Sequence, residues 1–582
     1  MKRFYGMMMS LILCLCTACG NIPAEEAKET EALLAVDEST EQPSSEEDVA
    51  TPEEPVELIV YSELSSYNGE QAGWFAQVML EKFNVKLMIS PLLDFEEGLE
   101  QGFLGDIMVF GSIGGNYQEA VKEGLLLDWE ANDLLSEHGP YILENMKPAL
   151  EHNRSLTPEA GKIFGFGNSV ASDNDTFSSL LYTWDIRWDL YEQLGYPEVK
   201  DLEEFISVLE DMKELCPVDD NGEETYAMAI WPEWDDGMVL GARYMAGAYY
   251  GYDAFHLGFY DAETGAYHGA LEENGPYLEM LKFLNTLYQK GLLEPDAGSQ
   301  NYEDTLKKLE SSGYFFSPVE YAGSLAYNTQ EHITQNKYMA ALVPEEATPA
   351  AFGMSVIGGN RVWTIGANSE HKELCMEIIN WFCTPEGVLT GLYGPKGVSW
   401  DYDAEGNTYF TELGKSCYED RVTIMPQEYG GSYFGDGCPQ INNSTWSYNA
   451  ENPDANGETY NAESWKSNLL PPVCPAEQDW QEYTGASKAL EYMQSKNCVV
   501  IPEVPYKEPE KSESLKTVWE QVSNCIVTES WKAIYAESDE EFEKIVSGMI
   551  AGAKACGYEQ CLGWCEQEAA RRFATEEIIR SY

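Results

Sequence analysis

The feature that most constrains this chain is an early switch of its hydrophobic repeat, from a period of two residues to about 3.6 and back again. Val56 to Ser62 (VELIVYS) carries an apolar strand pattern, Gly73 to Phe83 (GWFAQVMLEKF) repeats on a helical spacing, and Val85 to Ser90 (VKLMIS) returns to a strand. Gly105 to Gly111 (GDIMVFG) adds a buried strand opened by Asp106. A helix through Tyr117 to Lys122 follows, ended by Gly124 before the short apolar run Leu125 to Leu127. Strands that alternate with helices call for a parallel or mixed sheet covered by helices, because a parallel neighbour is reached only through a crossover. The fold class is therefore α/β.

The residues before Val56 read as an address and a leash. Lys2 and Arg3 give a positive end, Met7 to Cys16 is apolar but too short to cross a bilayer as a folded helix, and Thr17-Ala18 place small residues before Cys19. This order resembles the lipobox of bacterial lipoproteins, which implies export, cleavage after residue 18 and a diacylglyceryl group on Cys19. Two acyl chains suffice for stable anchoring. Cys16 stands where such motifs usually carry Leu, with Leu15 beside it, which leaves the register of cleavage open. An ordinary secretory signal with an unrelated cysteine is the alternative. Residues 1–18 are read as the signal peptide and residues 19–55 as a disordered acidic tether. Gly20 to Pro55 is rich in Glu, Ser, Thr, Ala and Pro, contains no aromatic residue, and cannot bury enough surface to offset its ordering entropy. No later segment approaches a run of about 18 apolar residues, so no other membrane span is expected.

Charge narrows the partners. Among 582 residues there are 100 Asp plus Glu against 35 Lys plus Arg, a formal charge of -65 that repels phosphate backbones and anionic lipid. Nucleic acid is therefore not an expected partner, and the acidic surface reads as solvated rather than as a site. The 36 Tyr and 15 Trp are more telling, since a flat apolar face with a polar tip can stack on a sugar ring and bond its hydroxyls. Of 14 Cys, Cys14 and Cys16 leave with the signal and Cys19 is lipidated, so an odd eleven remain and at least one is unpaired. Cys556, Cys561 and Cys565 lie on a helical pattern without CxxC spacing or a nearby His, which argues against a metal there.

Four segments, in order, carry a family resemblance. They are Asp106–Gly111 with Tyr117–Asp128; Leu181–Pro197 (LYTWDIRWDLYEQLGYP) with Leu202–Lys213; Trp363–Gly387 (WTIGANSEHKELCMEIINWFCTPEG); and Ser530–Met549 (SWKAIYAESDEEFEKIVSGM). Together they resemble the extracellular solute-binding proteins of family 1, in particular the large oligosaccharide-binding lipoproteins of Gram-positive bacteria. The resemblance implies a two-lobed, periplasmic-binding-protein-like (type II) fold that closes on ligand in an interlobe cleft. It implies a carbohydrate ligand, the permease subunits of an ABC importer as partners, a monomer held by its lipid on the extracellular face of the cell membrane, and no cofactor. On this mapping residues 56–170 and 352–440 form the first lobe, and residues 171–351 and 441–582, with the C-terminal helices, form the second. Gly165-Phe166-Gly167 is read as a hinge crossing, since glycine tolerates the dihedral change a hinge needs. Residues 400–480 fit no clean period and are read as an insertion that lines the cleft.

Motifs for catalysis are missing from the sequence: there is no HExxH, no GxSxG, and Gly414-Lys415-Ser416 has Tyr409 where a P-loop needs its first Gly. No catalytic residue is assigned. With so many carboxylates, any chosen pair carries almost no weight for glycoside hydrolysis. Asp219-Asp220-Asn221-Gly222-Glu223-Glu224 gathers oxygen ligands as calcium loops do, but lacks the DxDxDG ladder and the final bidentate Glu, so it is read as a plain Asn-Gly turn and no metal is expected.

Ligand contacts are sought beyond strand ends, where an open α/β sheet exposes its crevice. The candidates are Ser62, Glu63, Tyr67 and Trp74 after the first strand, and Phe110, Gly111 and Ser112 after the third. Trp184, Arg187 and Asp189 follow from the resemblance, with the alternative that Arg187 and Asp189 form an internal ion pair at a helix start. Trp231, Trp234 and Asp235 (WPEWDDG) offer two indoles beside a carboxylate, and the resemblance places Tyr321 and Trp363 near the cleft. Each aromatic has core packing as its alternative. Other readings of the whole are an extracellular enzyme acting on glycans, and a lipoprotein of the same scaffold for a non-sugar solute such as a peptide.

Overall fold

The computed structural model describes residues 54–91, 95–157, 161–174, 177–503 and 508–581. The signal, the lipidation site Cys19 and the tether lie outside the described residues.

The expected opening is found residue for residue, with strands Val56–Ser62 and Val85–Ser90 flanking helix Gly73–Phe83. Leu58, Val60 and Ser62 alternate into the core, and the helix stops where Asn84 turns left-handed and returns its N–H to Leu80 and Met79. A six-stranded sheet results, in the order Gly69–Glu70, Val85–Ser90, Val56–Ser62, Ile107–Phe110, Val362–Ile365, Gly165–Gly167. Its three central strands are parallel, while Val362–Ile365 runs antiparallel to both neighbours. Parallel pairing of Val56–Ser62 with Ile107–Phe110 puts Ser62-Glu63 and Gly111-Ser112 side by side at the carboxyl end of the sheet.

A second sheet has four strands, ordered Met339–Ala341, Tyr182–Arg187, Tyr314–Val319, Tyr226–Met228. Helices Leu202–Leu215, Leu240–Tyr250 and Pro276–Gln289 belong to its core, as do the long helices Glu513–Ile534, Asp539–Cys556 and Tyr558–Arg580. Asp201 starts the first of these by accepting from the N–H groups of Glu203 and Glu204.

Two large cores follow, one around each sheet, and the protein is a two-lobed α/β fold. The chain leaves the first core after Val170 and enters the second at Phe177. It returns between Ala351 and Val362, and crosses again between Trp465 and Cys474. Ala171, Val356, Ile357 and Ile579 form a small apolar cluster at the first two crossings. A three-stranded sheet of Val499–Ile501, Ala350–Gly353 and Phe177–Ser179 lies beside these crossings.

Two expectations change. Ile441, Trp446, Ala450, Tyr460, Ala462 and Trp465 pack into the first core, not the second, because the indoles of Trp446 and Trp465 find carbonyl partners and apolar neighbours there. Gly165 and Gly167 form a buried edge strand rather than a hinge. A Cβ on Gly165 would stand 1.9 Å from the Trp363 carbonyl oxygen, and one on Gly167 2.2 Å from that of Gly359. These glycines answer to close backbone approach, not to rotation.

No disulfide joins the eleven cysteines among the described residues. Among the same residues, no helix is long and apolar enough to cross a membrane.

Candidate ligand-binding site

At the carboxyl end of the first sheet the polar candidates are held by the fold. Ser62 Oγ donates to the Ile441 carbonyl at 2.7 Å. Glu63 accepts from the Gly111 N–H and from Asn116 Nδ2, both at 2.7 Å, and so brackets the loops after two adjacent strands. Tyr67 donates to the Glu70 carbonyl at 2.6 Å, and the exposed Ser112 accepts from the Gly114 N–H. Phe110 is fully buried against Phe95 and Tyr117.

Three of the tryptophans read as ligand platforms are core side chains. Trp74 stacks on Phe434 at 5.5 Å and donates to its carbonyl; Trp184 donates to the Ala248 carbonyl, and Trp363 to that of Ser444. All three are at most 2% exposed. An indole whose N–H is satisfied inside a core has neither face nor tip left for a ligand. Arg187 and Asp189 form the internal ion pair given above as the alternative: the guanidinium meets the carboxylate at 2.9 and 2.7 Å, both residues are buried, and Asp189 also accepts from the Tyr338 N–H. This pair fixes the start of helix Trp188–Gln193.

The remaining candidates come together on the second lobe. Trp231 and Trp234 lie 5.5 Å apart edge to face, and Trp234 lies 6.1 Å from Tyr321. Tyr302 joins them, 4.7 Å from Trp234 and 5.8 Å from Tyr321, and Tyr244 accepts a hydrogen bond from the Tyr321 hydroxyl at 2.9 Å. Trp231 is buried beneath, whereas Trp234, Tyr302 and Tyr321 are partly exposed. The result is an aromatic shelf.

Local sequence explains each position. Asn301 and Asp304 form a capping box that starts helix Tyr302–Glu310, which sets Tyr302 at the first helical position. Asp235 accepts from the Leu240 N–H at 2.8 Å, starting the helix that carries Tyr244, and from Trp531 Nε1 at 2.7 Å. Burial pushes its carboxyl up to about 6. It anchors Trp531 and the start of the helix that carries Tyr244. Tyr321 sits in the single turn Glu320–Ala322 that follows strand Tyr314–Val319.

Beside Tyr321 lies a carboxyl the sequence did not single out. Burial pushes Glu320 up to about 7, and the charges of Asp185 and Glu463 add to this. Asp185 is 1% exposed and accepts from the Ser324 N–H at 2.6 Å; burial raises its pKa also. Glu463 belongs to the 441–465 stretch packed in the first lobe, so part of the charge that Glu320 feels comes from across the lobes. Tyr448, 42% exposed, and Asn443, whose amide oxygen and nitrogen find no partner among the described residues, come from the same stretch. The phenols of Tyr244, Tyr302 and Tyr321 are all raised by burial and stay protonated, with Tyr321 donating to Tyr244 and Tyr302 to the Tyr321 carbonyl.

The Asp219–Glu224 loop is consumed internally. Asp219 accepts from the N–H groups of Asn221 and Glu223 and from Ser311, and Asp220 from Ser312 and the Lys337 ammonium. Among the described residues, no group of three or more His, Cys, Asp or Glu is arranged to hold a metal ion.

No family model matches the chain. A curated carbohydrate ABC transporter substrate-binding protein of Streptococcus pneumoniae serotype 4 is 26% identical over 165 residues, 27% of this chain and 29% of that protein. The alignment thus spans less than a third of the relative. Solved structures aligned with this chain include an HMO-binding, ABC-transporter-associated solute-binding protein of Bifidobacterium longum infantis, at 12% identity, 90% of this chain, 99% of that one and a TM-score of 0.48. An S. pneumoniae ABC-transporter substrate-binding protein in complex with kestose aligns at 14% identity, 89% and 99% coverage, and a TM-score of 0.43. An N-glycan transport solute-binding protein of S. pneumoniae aligns at 16% identity, 90% and 100% coverage, and a TM-score of 0.42. The likeness carried by the sequence motifs and that of the curated relative fall on one class, the substrate-binding proteins of carbohydrate ABC transporters.

Proposed function

We propose that this protein is the substrate-binding subunit of an ABC importer, anchored at the outer face of the cell membrane through a lipid on Cys19, and that it captures an oligosaccharide without altering it. The observation that carries this reading is the aromatic shelf of Trp234, Tyr302 and Tyr321 beside Glu320. Flat partly exposed rings match the apolar face of a pyranose, and phenols with a carboxyl beside them match its hydroxyls. Glu463 and Tyr448 from the first lobe supply a second jaw, so ligand that touches both sides favours the closed form by its differential affinity. That closed shape is what the permease reads.

The name of the pneumococcal relative supports binding for transport over hydrolysis.

Thermal shift and tryptophan fluorescence against a panel of plant and host oligosaccharides test the proposal. Binding raises the melting temperature, and the glycan is recovered intact by chromatography. Shortened glycan in the recovered material points to the enzyme instead, and a shift with peptides alone points to a non-sugar receptor. The variant Cys19→Ala releases the protein into the medium, and its retention on membranes would contradict lipidation.

A further inference from the structure

Behind the shelf, the helix Glu513–Ile534 and its end present a second pair of aromatic rings to solvent. Trp531 and Tyr535, one helical turn apart, lie 6.0 Å from each other at an interplanar angle of 28°. They line an open cavity of about 270 Å³ together with Pro295, Asp296, Gly298 and Ser299. The polar tips of both rings are fixed. Trp531 Nε1 donates to Asp235 at 2.7 Å, and the Tyr535 hydroxyl accepts from the Gly298 N–H at 2.8 Å. Tyr288 braces Tyr535 edge-on at 5.1 Å. A Cβ on Gly298 would stand 3.2 Å from the Trp531 ring, so the missing side chain keeps that face uncovered.

The polar groups of the cavity are of one kind. Asp296 is exposed, and no hydrogen bond to its carboxylate is made among the described residues. Ser299 spends its proton on the Asp296 carbonyl and keeps its lone pairs, while the Tyr535 hydroxyl accepts from Gly298 and keeps its proton to donate. The site therefore offers a flat apolar floor, two acceptors and one donor, with no cation among its lining residues. A carboxylate in a protein of charge -65 repels an anionic ligand. A neutral sugar ring satisfies all of these: its C–H face stacks on the rings, and two adjacent hydroxyls donate to the carboxylate.

We propose that the Trp531–Tyr535 cavity is a second carbohydrate-binding surface, specific for a neutral pyranose and separate from the shelf. It rests on the reading of this protein as a carbohydrate binder. The two surfaces are linked through consecutive residues, since Trp234 belongs to the shelf and Asp235 holds Trp531.

The test uses the full chain labelled with 5-fluorotryptophan, whose Trp531 resonance is assigned with Trp531→Phe and whose Trp234 resonance is assigned with Trp234→Phe. Lactose, maltotriose and N-acetyllactosamine are titrated into the wild type, Asp296→Ala and Tyr321→Ala. The proposal expects at least one of these sugars to move the Trp531 signal saturably, with the same curve in Tyr321→Ala and at least about tenfold weaker binding in Asp296→Ala. A Trp531 signal that stays still while Trp234 responds overturns the second surface and leaves the shelf standing. A Trp531 response unchanged in Asp296→Ala, or lost in Tyr321→Ala, overturns it as well. Stillness of both signals with all three sugars counts against this surface and against the carbohydrate reading together.

Discussion

At the strand ends of the first lobe Ser62, Glu63 and Tyr67 each hydrogen-bond within that lobe, whereas at the end of strand Tyr314–Val319 in the second lobe Trp234, Tyr302 and Tyr321 lean on one another and leave their faces partly open. Both places are strand ends in a sheet covered by helices, where a crevice is expected. Position in the fold nominates a site at both places, and the partly uncovered rings set the second apart from the first. The first lobe meets the second through an inserted stretch packed on Trp446 and Trp465, where the Glu463 carbonyl accepts from Lys488 and Asn449 donates to the Phe177 carbonyl.

The largest expected effect tests whether the second lobe's rigidity underlies its shelf. Asp189→Ala leaves Arg187 charged and buried without its partner, and costs about 3 to 5 kcal/mol of stability in chemical denaturation. A loss under about 1 kcal/mol would mean that the ion pair does not hold the lobe.

Next comes pH. The Glu320 carboxyl moves from an ordinary 4.5 to about 7 in the fold, by burial first and then by the charges of Asp185 and Glu463. A raised carboxyl pKa means that the folded state prefers the proton. The associated stability is fully present below about pH 4.5 and is lost as pH rises through 7. Denaturation at pH 5 and pH 8 is expected to differ by about 2 to 3 kcal/mol more in the wild type than in Glu320→Gln. Equal differences would remove Glu320 from its half-buried setting.

Trp234→Ala weakens glycan affinity by about 1 kcal/mol or more in calorimetry, with the fold retained. Glu63→Gln gives the smallest effect, a stability loss of about 1 kcal/mol from its bracket with affinity unchanged. If Glu63→Gln reduced affinity as much as Trp234→Ala, the contrast between the lobes would fail.

Much of the fold was legible because its signals are local. The period switch places Val56–Ser62, Gly73–Phe83 and Val85–Ser90 where they are found, since apolar alternation and its helical counterpart report burial directly. The site was harder. Trp74, Trp184 and Trp363 carry the same residue signal as Trp234, and what separates them is a carbonyl partner supplied from far along the chain, such as Phe434 for Trp74. Tyr302 follows a capping box and Tyr244 sits in an apolar helix, so neither has a local mark of exposure. Glu320 is one of 100 acidic residues until the fold buries it beside Asp185. The lobe assignment of residues 441–465 failed for the same reason, since a loop without period acquires its place only through the core it meets.

The central claim is tested most directly by titrating the glycan panel into the wild type and Tyr321→Ala, following tryptophan fluorescence and analysing the glycan afterwards. The account predicts a saturable signal in the wild type, at least about fivefold weaker in Tyr321→Ala, with every glycan recovered at its original length. A glycan that is shortened, or one that binds both proteins alike, would contradict it.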